Sequence, residues 1–260
     1  MSAYLVGTKS YWAILFVVFL RYLIIAFIAF ALFYLTKTVS KHFKKIQPKF
    51  PASNDYLREI GYSVLTSFIF AAIGYAVFLT PFTTYTQAYF KIEEHGVGYL
   101  IFSVLLIIVI HDTYFYWTHR LMHAPGIYRW FHKVHHLSTN PSPWAAMAFH
   151  PLEAVVEAGI IVVVVFMFPV HPLAIGIFLL FMMLYNVYGH LGYELYPAGF
   201  SRSSIGKWIN TSVNHNQHHM FFKGNYGLYF LFWDRMMGTI RSDYDERFES
   251  VKDDEASIKE

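Results

Sequence analysis

The chain has 260 residues, of which 56% are hydrophobic, 20% aromatic and only 14% charged. Soluble domains are about 25% charged, so this deficit points to lipid as the solvent, and a net charge of +3 with histidine neutral gives no argument for a nucleic-acid partner. There is no cysteine, which excludes disulfides, zinc–thiolate sites, iron–sulfur clusters and thiol nucleophiles together.

Residues 11–35 form the first apolar stretch. It is too long for a signal-peptide core and no small-residue cleavage site closes it, so it reads as an anchor. Arg21 lies inside it. An arginine at the bilayer centre costs about 2.5–3.5 kcal/mol on insertion scales. The expectation is a helix shifted toward Leu35, with Arg21 snorkelling to the outer interface. Residues 60–82 and 97–117 also approach the roughly 20 apolar residues that a span requires. Residues 154–168 and 172–188 are shorter and joined through Pro169-Val170-His171-Pro172. They read as a helical hairpin that crosses fully or only dips into the bilayer. The expected fold class is therefore all-α: an integral membrane helical bundle of about four spans, or three spans plus a hairpin, under a cytosolic histidine-rich cap. Residues 1–96 read as membrane anchor helices and loops, and 97–240 as the functional domain. Residues 241–260 are highly charged and read as a solvated, poorly ordered tail.

Orientation follows from the basic residues of the short loops. The segment after the first span carries Lys37, Lys41, Lys44, Lys45, Lys49 and Arg58, whereas the segment after the second carries only Lys91. The first is expected in the cytoplasm and the second outside. Counting spans then puts residues 119–150 in the cytoplasm, and a hairpin that returns to its starting side puts residues 190–219 there too.

Of 14 histidines, 12 fall between His111 and His219. Three boxes stand out: His119-Arg-Leu-Met-His123, His132-Lys-Val-His135-His136 and His215-Asn-Gln-His218-His219. Residues three and four apart share a helix face, so the imidazoles of each box converge as metal ligands do. One zinc site takes three or four ligands; these boxes hold too many for one ion and about enough for two. His190 is a plausible ninth ligand, and Asn186, one turn before it, could reach a metal directly or through water. Ligating histidines give their second N–H to a carboxylate or carbonyl. Asp112, Glu153, Glu157, Glu194 and Asp234 are the candidate supporting carboxylates: Asp112 on nearly the face of His119, Glu194 four residues after His190. His150 is a doubtful ligand and His111 points away from the His119 face. His42, His95 and His171 read as loop or interfacial residues, and Trp117, Tyr128, Trp130 and Trp144 as an interfacial belt.

The segments HDTYFYWTHRLMH from His111, HKVHH from His132, PSPWAAMAFHPLE from Pro141, NVYGHLGYE from Asn186, NHNQHH from Asn214 and NYGLYFLFWDRMMGT from Asn225 together resemble the fatty acid hydroxylase / sterol desaturase superfamily. The resemblance covers residues 97–239 and implies a helical membrane fold with a dimetal centre, two iron ions when active, although zinc can replace iron in purified protein. It implies O2-dependent hydroxylation or desaturation of a fatty acyl, sterol or related lipid, with ligands on His119, His123, His132, His135, His136, His190, His215, His218 and His219. Some relatives carry a fused haem domain with a His-Pro-Gly-Gly motif. That motif is absent here, so the expectation is no haem in this chain and a separate electron donor of cytochrome b5, ferredoxin or reductase type. The host membrane is expected to be a bacterial inner membrane or the endoplasmic reticulum. The competing readings are a metal-dependent hydrolase, in which the ions activate water, and a non-catalytic membrane metal-binding protein.

Overall fold

Long apolar runs that must satisfy their own backbone groups in lipid form helices. The structure, a computed structural model, describes the backbone of residues 2–259 and the side chains of residues 9–36 and 39–252. Helix α1 (Ser2–Phe30) continues through one π-helical turn, Ala31–Leu35. It is followed by α2 (Ser53–Leu79), α3 (Gly96–Met122), and the hairpin of α4 (Pro151–Met167) and α5 (Pro172–Gly189). Two cap helices, α6 (Ser212–Phe221) and α7 (Tyr244–Lys259), complete the chain. Among the described residues, β pairing is limited to isolated bridges. The fold is all-α.

Lys9–Leu35, Ser53–Leu79, Gly96–Met122 and Pro172–Gly189 are long and apolar enough to cross a membrane. Helix α4, with 17 residues, rises about 25 Å, short of the roughly 30 Å hydrocarbon core. Both hairpin helices start the same way. His150 and His171 accept the Leu152 and Leu173 N–H groups on Nδ1, at 3.3 and 3.0 Å, and Pro151 and Pro172 fill the first helical position. These two histidines are helix caps.

Helices α3, α4 and α5 close around Ile107, Ile160, Val164 and Phe178. Helix α1 is tied in by Tyr22, whose hydroxyl donates to the Trp144 carbonyl at 3.0 Å; Ser63 of α2 donates to the same oxygen at 3.0 Å. Trp144 is thus not part of an interfacial belt. It is buried beside Tyr22 and Phe30, where its carbonyl joins two helices. Large apolar side chains such as Phe16, Phe27, Ile101, Leu105 and Val109 face outward, as a lipid-facing surface requires.

Arg21 departs from its sequence expectation. Its Nε and Nη2 atoms are buried with no hydrogen-bond partner among the described residues, and its side chain lines a partly open pocket between the helices. The Tyr22 bond to Trp144 holds the rotation of α1, so the residue beside it cannot swing out to the interface.

The charged tail departs too. Residues 244–259 form α7, and Tyr244, Phe248 and Val251 pack against Ile46, Val213 and Leu231. Their i, i+4, i+7 spacing is an amphipathic stripe hidden among acidic residues. Tyr244 Oη also meets Thr211 Oγ1 at 3.1 Å. Phe248 is fully buried, so Phe248→Ala is expected to cost about 3 kcal/mol. A lowered thermal midpoint in detergent would register this; an unchanged midpoint would show that α7 does not belong to the folded unit.

The basic segment after α1 lies against the cap. Lys45 Nζ donates to Asn140 Oδ1 at 3.1 Å, and Gln47 Nε2 donates to the Thr139 carbonyl at 2.8 Å and to Asn216 Oδ1 at 3.0 Å.

Candidate metal centre

The last turn of α3 carries His119 and ends at His123, four residues on and on the same face. The chain then turns through the short helix Tyr128–Phe131 and the 3-10 turn His135–Leu137, which present His132, His135 and His136. His190 ends α5, and α6 carries His215, His218 and His219. These nine side chains gather into two groups: His119, His123, His132, His136 and His218 in one, and His135, His190, His215 and His219 in the other. Within each, the nearest ring nitrogens lie within 4.8 Å of one another. The groups adjoin, with the His136 and His219 rings 4.8 Å apart.

The nitrogens that face inward are the Nε2 atoms. His119 and His132 Nε2 are 2.9 Å apart, and His136 Nε2 lies 3.1 Å from that of His123 and 3.0 Å from that of His218. In the second group, His190 Nε2 lies 3.3 Å from His135 and 3.1 Å from His215, and His219 Nε2 lies 3.1 Å from His215. Five of the opposite nitrogens are tethered, whereas Nδ1 of His135 and of His136 is buried with no partner among the described residues. Nδ1–H of His119 donates to the Tyr226 carbonyl at 2.8 Å, that of His190 to the Asn186 carbonyl at 2.7 Å, that of His218 to the Gly224 carbonyl at 2.8 Å and that of His219 to the Ser138 carbonyl at 2.9 Å. His132 Nδ1–H donates to Glu153 Oε1 at 2.5 Å. These acceptors set the tautomers.

Whether a metal fits is decided by those contacts. His119 and His132 both spend their Nδ1 protons on acceptors, so in their neutral forms each presents a bare lone pair on Nε2. Two lone pairs 2.9 Å apart repel; a cation between them turns the contact into coordination. Ligands about 2.0–2.1 Å from a metal and about 90–109° apart lie about 2.9–3.4 Å from one another, the range seen here. The donor set of all-imidazole nitrogen suits iron, zinc, copper or nickel.

Burial keeps the rings neutral. It pushes His132, His135, His136, His215, His218 and His219 well below the ordinary histidine value of 6.5, and neighbouring imidazolium charge pushes the same way. Burial takes His190 down to about 4. The sign follows directly. In the unfolded chain these rings gain protons below pH 6.5, while in the folded chain they do not, so stability falls as pH drops below that value. Metal-free protein is expected to lose up to about 1.4 kcal/mol per pH unit for each such histidine. Denaturation of chelated protein at pH 7.5 and 5.5 checks this, and equal stability would contradict it.

The supporting residues sort differently from their sequence expectation. Glu153 reaches a cluster histidine. Glu157, one turn further along α4, lines the partly open pocket beside Arg21 instead. Asp112 accepts the N–H groups of Tyr229 and Phe230, at 2.9 and 3.1 Å, and thereby holds the loop after α6. Glu194 does not support His190; it accepts Tyr188 Oη–H at 2.7 Å and the Val213 N–H at 3.0 Å, which anchors the start of α6. Asp234 accepts the N–H groups of Tyr226 and Gly227, at 2.9 and 2.7 Å, and the Thr239 hydroxyl at 2.6 Å. It supports His119 and His218 only through the loop that carries their acceptors. Asn186 meets His190 with its backbone carbonyl. His150 is the α4 cap, and His111 is paired with Tyr229 Oη at 2.9 Å outside both groups. Sequence reading missed the carbonyls of Ser138, Gly224 and Tyr226, since a carbonyl leaves no trace in residue identity. The one available signal was the Gly224-Asn225 pair, which holds left-handed backbone at φ 82 and 57.

The fold and the two histidine groups together define a helical membrane protein with two adjoining sets of imidazoles, each able to hold a metal ion. The fatty acid hydroxylase family matches residues 104–239, so the chain belongs to that family. It is 32% identical over 195 residues to a Delta(7)-sterol 5(6)-desaturase of Gibberella zeae, covering 75% of this chain and 58% of that protein. It is 30% identical over 222 residues to the lathosterol oxidase of Homo sapiens, covering 82% of this chain and 72% of that protein. A Delta(7)-sterol 5(6)-desaturase of Aspergillus fumigatus is 32% identical over 244 residues, covering 91% of this chain and 65% of that protein. No solved structure matches the chain.

Proposed function

We propose that the chain is a membrane-bound di-iron oxygenase that hydroxylates or desaturates a lipid, using O2 and electrons from a separate donor. The observation that carries this reading is the His119–His132 contact, in which two rings with committed Nδ1 protons turn bare nitrogens toward each other at 2.9 Å. The nine histidines of the two groups are the proposed ligands, His135, His190, His215 and His219 for one ion and the other five for its neighbour. Iron is favoured over zinc because family membership and the oxidase and desaturase names of the relatives call for redox chemistry, which zinc lacks. Those names also favour a sterol-like lipid among the candidates. Residues 97–240 are read as the catalytic domain and 1–96 as its anchor.

Bound iron supplies the O2 activation and hydrogen abstraction that no ordinary side chain provides. The protein's part is placement. Glu153 and the carbonyls of Ser138, Asn186, Gly224 and Tyr226 hold the Nδ1 protons of His132, His219, His190, His218 and His119, so the Nε2 lone pairs of those five rings stay aimed inward. The apolar surroundings exclude water that would quench a strong oxidant. The cytoplasmic orientation is supported by the basic segment of residues 37–58, whose Lys45 and Gln47 hydrogen-bond to the same cap that bears the histidines. A cytochrome b5, ferredoxin or reductase-type protein is the proposed donor on that side.

Lipid mass spectrometry of cells with and without the chain tests the reading. The expected result is a lipid that gains one oxygen atom or loses two hydrogens, only in air and only with reductant. Lipid conversion under strict anaerobiosis would instead indicate a hydrolase.

A further inference from the structure

An open pocket of about 370 Å³ lies where the end of α3 meets the loop after α6. Arg120, Lys223 and Arg241 line it, together with Ser242, Gly224 and Tyr226. Little acid offsets the three cations. Arg241 pairs with Asp243, through Nε at 3.0 Å and Nη2 at 3.3 Å, and its guanidinium lies 4.0 Å over the Phe221 ring. The buried Asp234 has both oxygens engaged by Tyr226, Gly227 and Thr239. Arg120 spends one nitrogen on Tyr116 Oη, at 3.2 Å. Lys223 makes no hydrogen bond or ion pair among the described residues. The pocket therefore carries an excess of positive charge that an anion would relieve.

Depth decides which anion. Arg120 lies about 36 Å along α3 from Gly96, at about 1.5 Å per residue, just past a hydrocarbon core of roughly 30 Å. Thr113 lies about 26 Å along the same helix and accepts Trp233 Nε1–H at 3.1 Å. That bond sets the short helix Phe232–Met236 against the inner edge of the core. The side chains below the pocket are apolar and exposed. Trp117 carries the Arg120 guanidinium 5.9 Å from its ring centre, and Met236 and Met237 lead into Gly238 of the pocket wall. Cations at headgroup depth thus stand directly above a lipid-facing apolar surface. A phosphodiester meets both halves. Its oxygens accept from guanidinium and ammonium, and its acyl chains continue into the core. A zwitterionic head would place its own choline cation among three others.

We infer that this pocket binds the phosphate of an anionic phospholipid from the leaflet beneath the histidine cap. Arg120, Lys223 and Arg241 are its donors, and the acyl chains lie along Trp117 and Met237. The site is independent of the oxygenase reading, since neither metal nor turnover enters it. It touches the histidine groups all the same. Gly224 and Tyr226 in its wall supply the carbonyls that hold His218 and His119, so a bound headgroup ties down the loop behind the first group.

The test places the full chain in nanodiscs of equimolar phosphatidylcholine and phosphatidylglycerol and identifies the lipid it retains by native mass spectrometry. Wild type is expected to retain phosphatidylglycerol at least about tenfold over phosphatidylcholine, and Arg120→Gln and Lys223→Gln each to lower that preference about fivefold. Arg120→Lys should keep most of it, and Lys91→Gln, on the turn before α3 at the other end of the bundle, all of it. Wild type should also melt higher in phosphatidylglycerol than in phosphatidylcholine, and Lys223→Gln should lose the difference. Equal retention of the two lipids, a double variant that retains them as wild type does, or an equal loss in Lys91→Gln would each overturn the proposal. A midpoint that ignores the lipid would overturn the link to the loop. Soluble glycerol phosphate should compete poorly; displacement at equal concentration would make this a site for free phosphate instead. If the double variant keeps its lipid but binds an acidic carrier such as ferredoxin more weakly, the surface serves a protein partner and the lipid assignment falls.

Discussion

His135→Ala is expected to lower the metal content of purified protein from two ions per chain to one and to abolish lipid oxidation. His135 shares its group only with His190, His215 and His219. Three imidazoles remain, and the ion they hold loses a ligand whose nitrogen lies 3.3 Å from that of His190. Removal of a partner that merely supports a ligand costs about 10–100-fold, which is the loss expected for Glu153→Gln at the His132 contact; loss of a ligand should exceed it. His150→Ala is the control. It removes a helix cap worth about 1 kcal/mol and should leave both ions in place. Metal analysis alongside an oxidation assay decides the matter, and a fully loaded, fully active His135→Ala protein would refute the assignment of the second group.

Asp234→Ala is expected to empty the first group although Asp234 touches no histidine. Its carboxylate accepts three hydrogen bonds, from Tyr226 N–H, Gly227 N–H and Thr239 Oγ1–H, in a fully buried position. Leaving buried donors unsatisfied costs about 1–3 kcal/mol each. The loop cannot readily find another path: a Cβ on Gly227 would sit 2.4 Å from the Phe230 carbonyl and one on Gly224 2.7 Å from the Thr239 carbonyl. The same loop supplies the Tyr226 and Gly224 carbonyls that hold His119 and His218. A destabilisation of about 3–5 kcal/mol with loss of the first ion is therefore expected, and Asp234→Asn, which keeps one acceptor oxygen, should fall between. Melting curves and metal stoichiometry measured together read both effects; wild-type values for both would mean that the loop is held by other contacts.

Much of this molecule was legible before any coordinates. The charge deficit and the apolar runs were enough for a helical membrane bundle, because lipid leaves the backbone few alternatives. The histidine boxes were enough to single out eight of the nine members of the two groups, because i, i+3 and i+4 spacing states a shared face directly; His190 was singled out by its place at the end of the hairpin. What misled was local reading of residues whose fate depends on distant partners. Glu194 follows His190 by one turn, yet its acceptor oxygens are taken by Tyr188 and Val213. Arg21 had a plausible route to the interface, but Tyr22 next to it is fastened to Trp144. The acidic tail hid Tyr244, Phe248 and Val251 behind its charge.

The sequence by itself determined that the chain lives in lipid and that its chemistry is that of clustered imidazoles. Only the tertiary structure decided how they divide. In both HxxHH boxes the first and last histidines enter one group and the middle one enters the other: His132 and His136 against His135, His215 and His219 against His218. Adjacent residues on a helix diverge by about 100°, so neighbours in sequence face different sites, while each site is completed by histidines far away in the chain, such as the 95 residues that separate His123 from His218. Which rings lie opposite one another, and which carbonyls hold them, is a property of packing between elements, and spacing within one element carries no record of it.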